Sequence, residues 1–113
     1  MFAEVKAMLP VSGDAYDPEI ILQIKAAALD LTTSAEIRMP GYISISRDAT
    51  TGAVTDNSTV TDELIITAIA TWCNMRIGNP PNYDNLLAAY NSLKGQLRLS
   101  RTYTNYGGGV TTE

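Results

Sequence analysis

The stretch that decides the fold is Thr61–Leu99, TDELIITAIATWCNMRIGNPPNYDNLLAAYNSLKGQLRL. It divides into a nearly all-apolar helical segment, a Gly-Asn-Pro-Pro corner and a second, amphipathic helix. In the first part Leu64, Ile65, Ile66, Ala68, Ile69, Ala70, Trp72, Cys73, Met75 and Ile77 are apolar. The polar residues Glu63, Thr67, Thr71 and Asn74 recur at spacings of four, four and three and so form one narrow stripe. A helix that is apolar on almost every other face is surrounded by protein. The spacing therefore predicts the central helix of the fold here, with Ile69 and Trp72 in the core. Thr61 or Ser58 is the expected cap, and Asp62 and Glu63 place carboxylates at the positive N-terminal end.

Gly78 suits a left-handed C-terminal cap, and Pro80 and Pro81 forbid continuation. Asn82 caps the next helix, whose expected buried face is Tyr83, Leu86, Leu87, Tyr90, Leu93 and Leu97. So short a corner predicts an αα-hairpin. Gly95 costs this last helix about 1 kcal/mol relative to alanine, which points to close packing or a bend.

Working outward, Phe2, Val5 and Leu9 fall on one face of a short helix stopped by Pro10. Asp17-Pro18-Glu19 reads as a helix start, with Asp17 as cap and proline at the first helical position. Ile20, Ile24, Ala27, Ala28 and Leu31 make its buried face, and the helix frays toward Ile37 before Pro40-Gly41. Tyr42-Ile43-Ser44-Ile45-Ser46 alternates with the period of a half-buried strand, and Ala53–Thr55 can return beside it after a turn at Thr51-Gly52. A lone two-stranded hairpin is marginal in water, so this one packs on the helices or is completed by a neighbouring chain. The fold class is thus mainly α: a small bundle of about four helices with a short β-hairpin or extended loop between the second and third main helices. Residues 1–101 form the domain and 102–113 a flexible C-terminal tail, ending in Gly107–Gly109 and a polar stretch.

Composition narrows the function. A chain of 113 residues with ordinary apolar content is one small folded domain. Its formal net charge is −4 and its basic residues are scattered, which disfavours a dedicated nucleic-acid binder. The single cysteine excludes an intramolecular disulfide framework and fits a reducing compartment. The lack of histidine removes His-based acid/base chemistry and, with one cysteine, leaves no ordinary structural zinc site. The N-terminus does not read as a secretory signal, and the apolar run after Glu63 falls short of the roughly 20 residues a membrane-spanning helix needs. The expectation is a soluble protein made in cytoplasm, without membrane contact.

No catalytic constellation assembles. Asp14, Asp17 and Glu19 cluster in sequence but read as helix capping with a solvated Asp14, not as a metal site. Cys73 sits inside the apolar helix with nothing to activate it. The glycine triplet lacks the Lys-Ser/Thr and the helix of a phosphate loop. The expectation is a non-enzyme with no cofactor and no metal. Candidate contact residues remain. Ile43 and Ile45 on the strand are expected to meet an adjacent subunit or partner. Lys94, Arg98 and Arg101 form a basic stripe that also complements the helix dipole. Tyr103 and Tyr106 bury nothing in a monomer, and tyrosine is enriched where partners bind. With Arg98 and Arg101 they make the tail an assembly tether.

Several runs resemble one family. They are Phe2–Leu9, Asp17-Pro18-Glu19-Ile20-Ile21, Val54–Val60, Asp62-Glu63-Leu64-Ile65, and Gly78-Asn79-Pro80 followed by Tyr83, Leu86, Tyr90 and Gln96-Leu97-Arg98. Together they are similar to the head–tail connector (adaptor or head-completion) proteins of long-tailed double-stranded-DNA phages and prophages. The resemblance spans most of the chain through short motifs. It implies a small helical bundle that forms a ring, commonly a dodecamer, below the portal protein in the virion. Such a ring joins head to tail, extends the DNA channel and offers a platform to a tail-side connector or tail terminator. Double-stranded DNA passes through without sequence-specific binding. A small helical DNA-binding module and a cytoplasmic assembly chaperone are the alternative readings.

Overall fold

The computed structural model describes residues 1–77 and 81–99. Within them the order of elements is α1 (Phe2–Ala7), α2 (Asp17–Thr33), β1 (Ile45–Arg47), β2 (Val54–Asp56), α3 (Glu63–Arg76) and α4 (Tyr83–Leu99). The fold is mainly helical, with a two-stranded antiparallel hairpin between α2 and α3.

α3 is the hub. It packs against α1, α2 and α4, and of its residues only Glu63 and Arg76 are exposed. Ile65, Ile66, Ala68, Ile69, Ala70, Cys73 and Met75 are buried, and each large aliphatic side chain there contributes roughly 1.5–3 kcal/mol. Thr67, Thr71 and Asn74 are half-buried, so even the polar stripe is partly covered. Trp72 is half-buried too and packs against the core from its edge, not in its interior. The cap is Asp62 instead of Thr61 or Ser58. Its extended backbone (φ −66°, ψ 122°) aims Oδ1 at the amides of Leu64 and Ile65, at 2.9 and 3.2 Å.

α1 buries Phe2 and Val5, with Leu9 just beyond its end, as the spacing predicts. α2 differs at its start. Asp17 is its first residue, preceded by Tyr16 with no side-chain cap, and the Asp17 carboxylate is only 5% exposed. It accepts a hydrogen bond from Lys6 Nζ at 2.7 Å, which ties α1 to α2 and pushes the lysine ammonium pKa up. Asp14 is solvated, 3.7 Å from the same ammonium. Burial of a charge requires such a partner, and that need outcompetes capping. α2 stops at Thr33, and the chain then buries Ala35 and Ile37 while Glu36 takes a positive φ of 56° between them. α4 buries Tyr90 and Leu97 fully and Leu86 and Leu93 partly, whereas Tyr83 and Leu87 lie exposed at its N-terminal half. The Gly78–Pro80 part of the corner lies outside the described residues.

The hairpin pairs Ile45 with Asp56, Ser46 with Thr55 and Arg47 with Val54. Pairing continues beyond the strands: the Asn57 amide donates to the Ser44 carbonyl at 2.8 Å and the Thr59 amide to that of Tyr42 at 2.9 Å. The return bonds end on side chains, Ser44 N–H on Ser58 Oγ and Tyr42 N–H on Thr59 Oγ1. The ladder explains Gly41, whose φ is +148° and whose added Cβ would stand 2.6 Å from Thr59 Oγ1. The hairpin is anchored to the helices in two places. Ile45 enters the core, and Asp56 Oδ2 accepts from the Phe2 amide at 2.7 Å and lies 2.9 Å from the Met1 amino group.

Candidate interaction surface

Three helices meet in a polar junction on one side of the bundle. Trp72 Nε1–H donates to Gln23 Oε1 at 3.0 Å, and Gln23 Nε2 in turn donates to Glu19 Oε1 at 3.1 Å. The Trp72 ring meets that of Tyr90 edge-on, with centroids 5.3 Å apart and planes at 61°, a favoured aromatic geometry. The Tyr90 hydroxyl donates to Asp30 Oδ2 at 2.6 Å, and Lys94 Nζ reaches the same oxygen at 3.3 Å and Ser34 Oγ at 3.1 Å. Burial, and then the hydrogen bond to Asp30, push the Tyr90 hydroxyl pKa far above its ordinary value. The Arg76 guanidinium lies over the Trp72 ring, 4.3 Å from its centroid. Each group of this junction fixes the next.

A second feature is apolar. On α2, Ile20, Ile24, Ala27 and Leu31 point into the core, while Leu22 and Leu29, 58% and 63% exposed, fall on the opposite face. Beside them runs a groove of about 380 Å³ between α2 and the segment leading into β1. Lys25, Ala28, Leu29 and Thr32 form one wall, and Met39, Tyr42 and Ile43 the other. Tyr42 is 60% exposed. The hairpin tip from Ser46 to Thr51 is open to solvent, with Asp48 Oδ1 accepting from the Thr50 and Thr51 amides and its carboxyl pKa held low by them.

The residues expected to make contacts separate. Ile43 is half-buried on the groove wall and remains available to a partner. Ile45 is 3% exposed inside the chain's own core, so it is not a subunit contact. The pleat turns alternate side chains to opposite sides of a ladder, but the hairpin lies on the helices and the Ile45 side is the covered one. Lys94 is spent on Asp30 and Ser34 and leaves the basic stripe, whereas Arg98 stays exposed. Gly95 has open space around it, so its position does not reflect close packing, and α4 runs through it without interruption. Arg101, Tyr103 and Tyr106, with the proposed tail, lie outside the described residues.

Leu22, Leu29 and the Trp72–Arg76 pair were not among the candidates. The leucines did carry a signal, seven residues apart and opposite the isoleucine face. The stacked pair shows only as an i,i+4 spacing, which by itself is common on helices. Among the described residues no group of His, Cys, Asp and Glu is arranged to hold a metal ion, and no helix is long and apolar enough to cross a membrane. Burial pushes the Cys73 thiol pKa up to about 12, which makes it an inert core residue. Compared with known proteins, the chain matches no family model, no curated sequence and no solved structure.

Proposed function

We propose that this chain is a structural virion protein of a long-tailed double-stranded-DNA phage or prophage, a subunit of the ring below the portal that joins head to tail and extends the DNA channel. The observation that carries the reading is that α2 bears two exposed leucines on the side opposite its core face. One face fills the core; the other presents Leu22 and Leu29 beside the Met39–Ile43 groove and Tyr42. Exposed leucines at the spacing of two helical turns contribute nothing to a solitary domain and suit a surface covered by another protein. In a closed ring every copy covers the same patch of its neighbour. The sequence runs that resemble head–tail connectors supply the context, and the small helical body with an inserted hairpin is compatible with them. The portal protein and a tail-side connector or terminator are the neighbours in the stack. In this role the protein carries out no chemistry, and DNA runs past it without base-specific contact.

The test compares infected-cell lysates with purified virions, and wild type with Leu22→Lys/Leu29→Lys. The protein is expected in virions at the head–tail junction. The double variant is expected to melt like wild type in isolation yet to leave heads that do not join tails. A protein present in lysates but missing from virions would instead be an assembly chaperone. A salt-sensitive shift of duplex DNA by the isolated chain would favour the DNA-binding alternative.

A further inference from the structure

Arg76 is held differently from Lys6 and Lys94. Lys6 and Lys94 are each ion-paired to a carboxylate. Arg76 instead lies on Trp72, and among the described residues no carboxylate stands within ion-pair distance of its guanidinium. The indole beneath it is fixed from two sides, by the Gln23 hydrogen bond and by the Tyr90 ring, which Asp30 holds in turn. A guanidinium held over an aromatic ring by its charge still has N–H groups to donate away from the ring. An arginine normally loses much side-chain entropy when it is captured. Here the platform has already removed part of that freedom. Arg76 follows Trp72 by one turn of α3, and Leu87 and Tyr83 precede Tyr90, which meets the Trp72 ring, by one and two turns of α4. Both are exposed and lie on the side of α4 that carries Tyr90.

We propose that the Trp72–Arg76 pair is a docking anchor for a carboxylate side chain of a protein partner. The guanidinium edge receives the carboxylate through two parallel N–H···O bonds, and an apolar neighbour of that acid lies against Leu87 and Tyr83. The planar fork of arginine matches a carboxylate in this way, and Trp, Arg and Tyr are the residues that dominate protein interfaces. A nucleic acid fits less well. Its affinity comes from several phosphate contacts at once, whereas this site offers one fixed cation on a chain of net charge −4. The anchor does not depend on the connector reading, since an adaptor or a chaperone would use it equally.

Trp72 is the only tryptophan in the chain, so its emission reports on this site alone. The full chain is titrated with a random Glu–Tyr copolymer, with inorganic phosphate and with a DNA duplex, all at constant ionic strength against a sodium chloride reference. Selective tryptophan excitation keeps the copolymer's tyrosines silent. The copolymer should change Trp72 emission saturably, and phosphate and duplex should match the chloride reference. Arg76→Lys keeps the charge but loses the fork, and its half-saturation should weaken about tenfold or more. Arg76→Glu should abolish the response, with circular dichroism showing that both variants remain folded. Emission that the copolymer leaves unmoved would overturn the proposal. So would an unchanged half-saturation in Arg76→Lys, or phosphate or duplex acting as strongly as the copolymer.

Discussion

The Tyr90 hydroxyl donates to Asp30 Oδ2 over 2.6 Å, joining the middle of α4 to the last turns of α2 across a separation of 60 residues. Tyr90 is 2% exposed and Asp30 retains Lys94 as a second partner at 3.3 Å. A short bond from a buried hydroxyl to a charged acceptor is among the stronger single contacts of a small domain. Tyr90→Phe keeps the ring against Trp72 and removes only the bond. It should cost about 1.5–3 kcal/mol, read as a lower urea midpoint at unchanged slope. In a double-mutant cycle with Asp30→Ala the two changes should cost less together than their sum, whereas strict additivity would mean that the bond does not hold α4 to α2.

Alkaline pH should weaken the fold through Cys73. Its thiol is pushed by burial from 9.0 up to about 12, so it stays protonated in the folded chain while the unfolded chain ionises. The unfolded state then binds fewer protons, and stability falls as pH rises from about 9 by up to about 1.4 kcal/mol per unit. Tyr90, raised by burial and by Asp30, acts in the same direction above its ordinary value. Cys73→Ala should therefore flatten the alkaline slope of the denaturation midpoint without abolishing it. An unchanged slope would place the thiol in contact with water.

Periodicity made the helices legible, because a hydrophobic stripe is a local property of the chain. The all-round apolar character of Leu64–Ile77 announced α3 as the hub, and Phe2, Val5 and Leu9 announced α1. What could not be read depends on partners brought together from far apart. Asp17 was a plausible cap until folding placed Lys6, eleven residues away, at 2.7 Å. The choice among Ser58, Thr61 and Asp62 as cap rests on backbone angles that residue type does not determine. Alternation in Tyr42–Ser46 was correct, but which body covers Ile45 is a matter of where the hairpin lies down. The Trp72 platform needs Gln23 from α2, 49 residues away, so no window around Arg76 reveals it.

The two isoleucines of the hairpin segment should differ in how much their loss costs. Ile45→Ala removes a side chain from the core and should cost about 2–5 kcal/mol, with loss of cooperative melting if the residual stability is small. Ile43→Ser, at a half-buried groove position packed on the edge of the core, should cost clearly less, about 1 kcal/mol. A destabilisation by Ile43→Ser as large as that by Ile45→Ala would mean that the groove wall belongs to the core.

Acid should loosen the hairpin from α1. Partial burial opposes ionisation of Asp56, but the Phe2 amide, the Met1 amino group and Ser58 together hold its carboxyl well below the usual carboxylate range. A depressed folded value means that its contribution is complete above the unfolded pKa near 3.9 and is lost as pH falls below it. Asp56→Asn should cost about 1–3 kcal/mol at neutral pH. The gap between variant and wild type should close progressively below about pH 4. A gap that persists undiminished in acid would show that the side chain acts through shape instead of charge.

Glycine-to-alanine exchange at two positions should have opposite signs. Gly95 lies inside α4 with nothing near a would-be Cβ, so Gly95→Ala lowers the entropy of the unfolded chain and raises helix propensity without a clash. It should stabilise by about 0.5–1 kcal/mol. Gly41 has a φ of +148°, and its Cβ would approach Thr59 Oγ1 to 2.6 Å and the Thr59 and Val60 backbone to 3.2 Å. Gly41→Ala must shift the chain where Tyr42 N–H donates to Thr59 Oγ1. It should destabilise by about 1–3 kcal/mol, through backbone strain together with the displaced hydrogen bond. Denaturation midpoints of the two variants should thus fall on either side of wild type. A Gly41→Ala midpoint equal to wild type would mean that the Tyr42–Thr59 end of the ladder is open in solution, with only the β1–β2 register and Ile45 holding the hairpin in place.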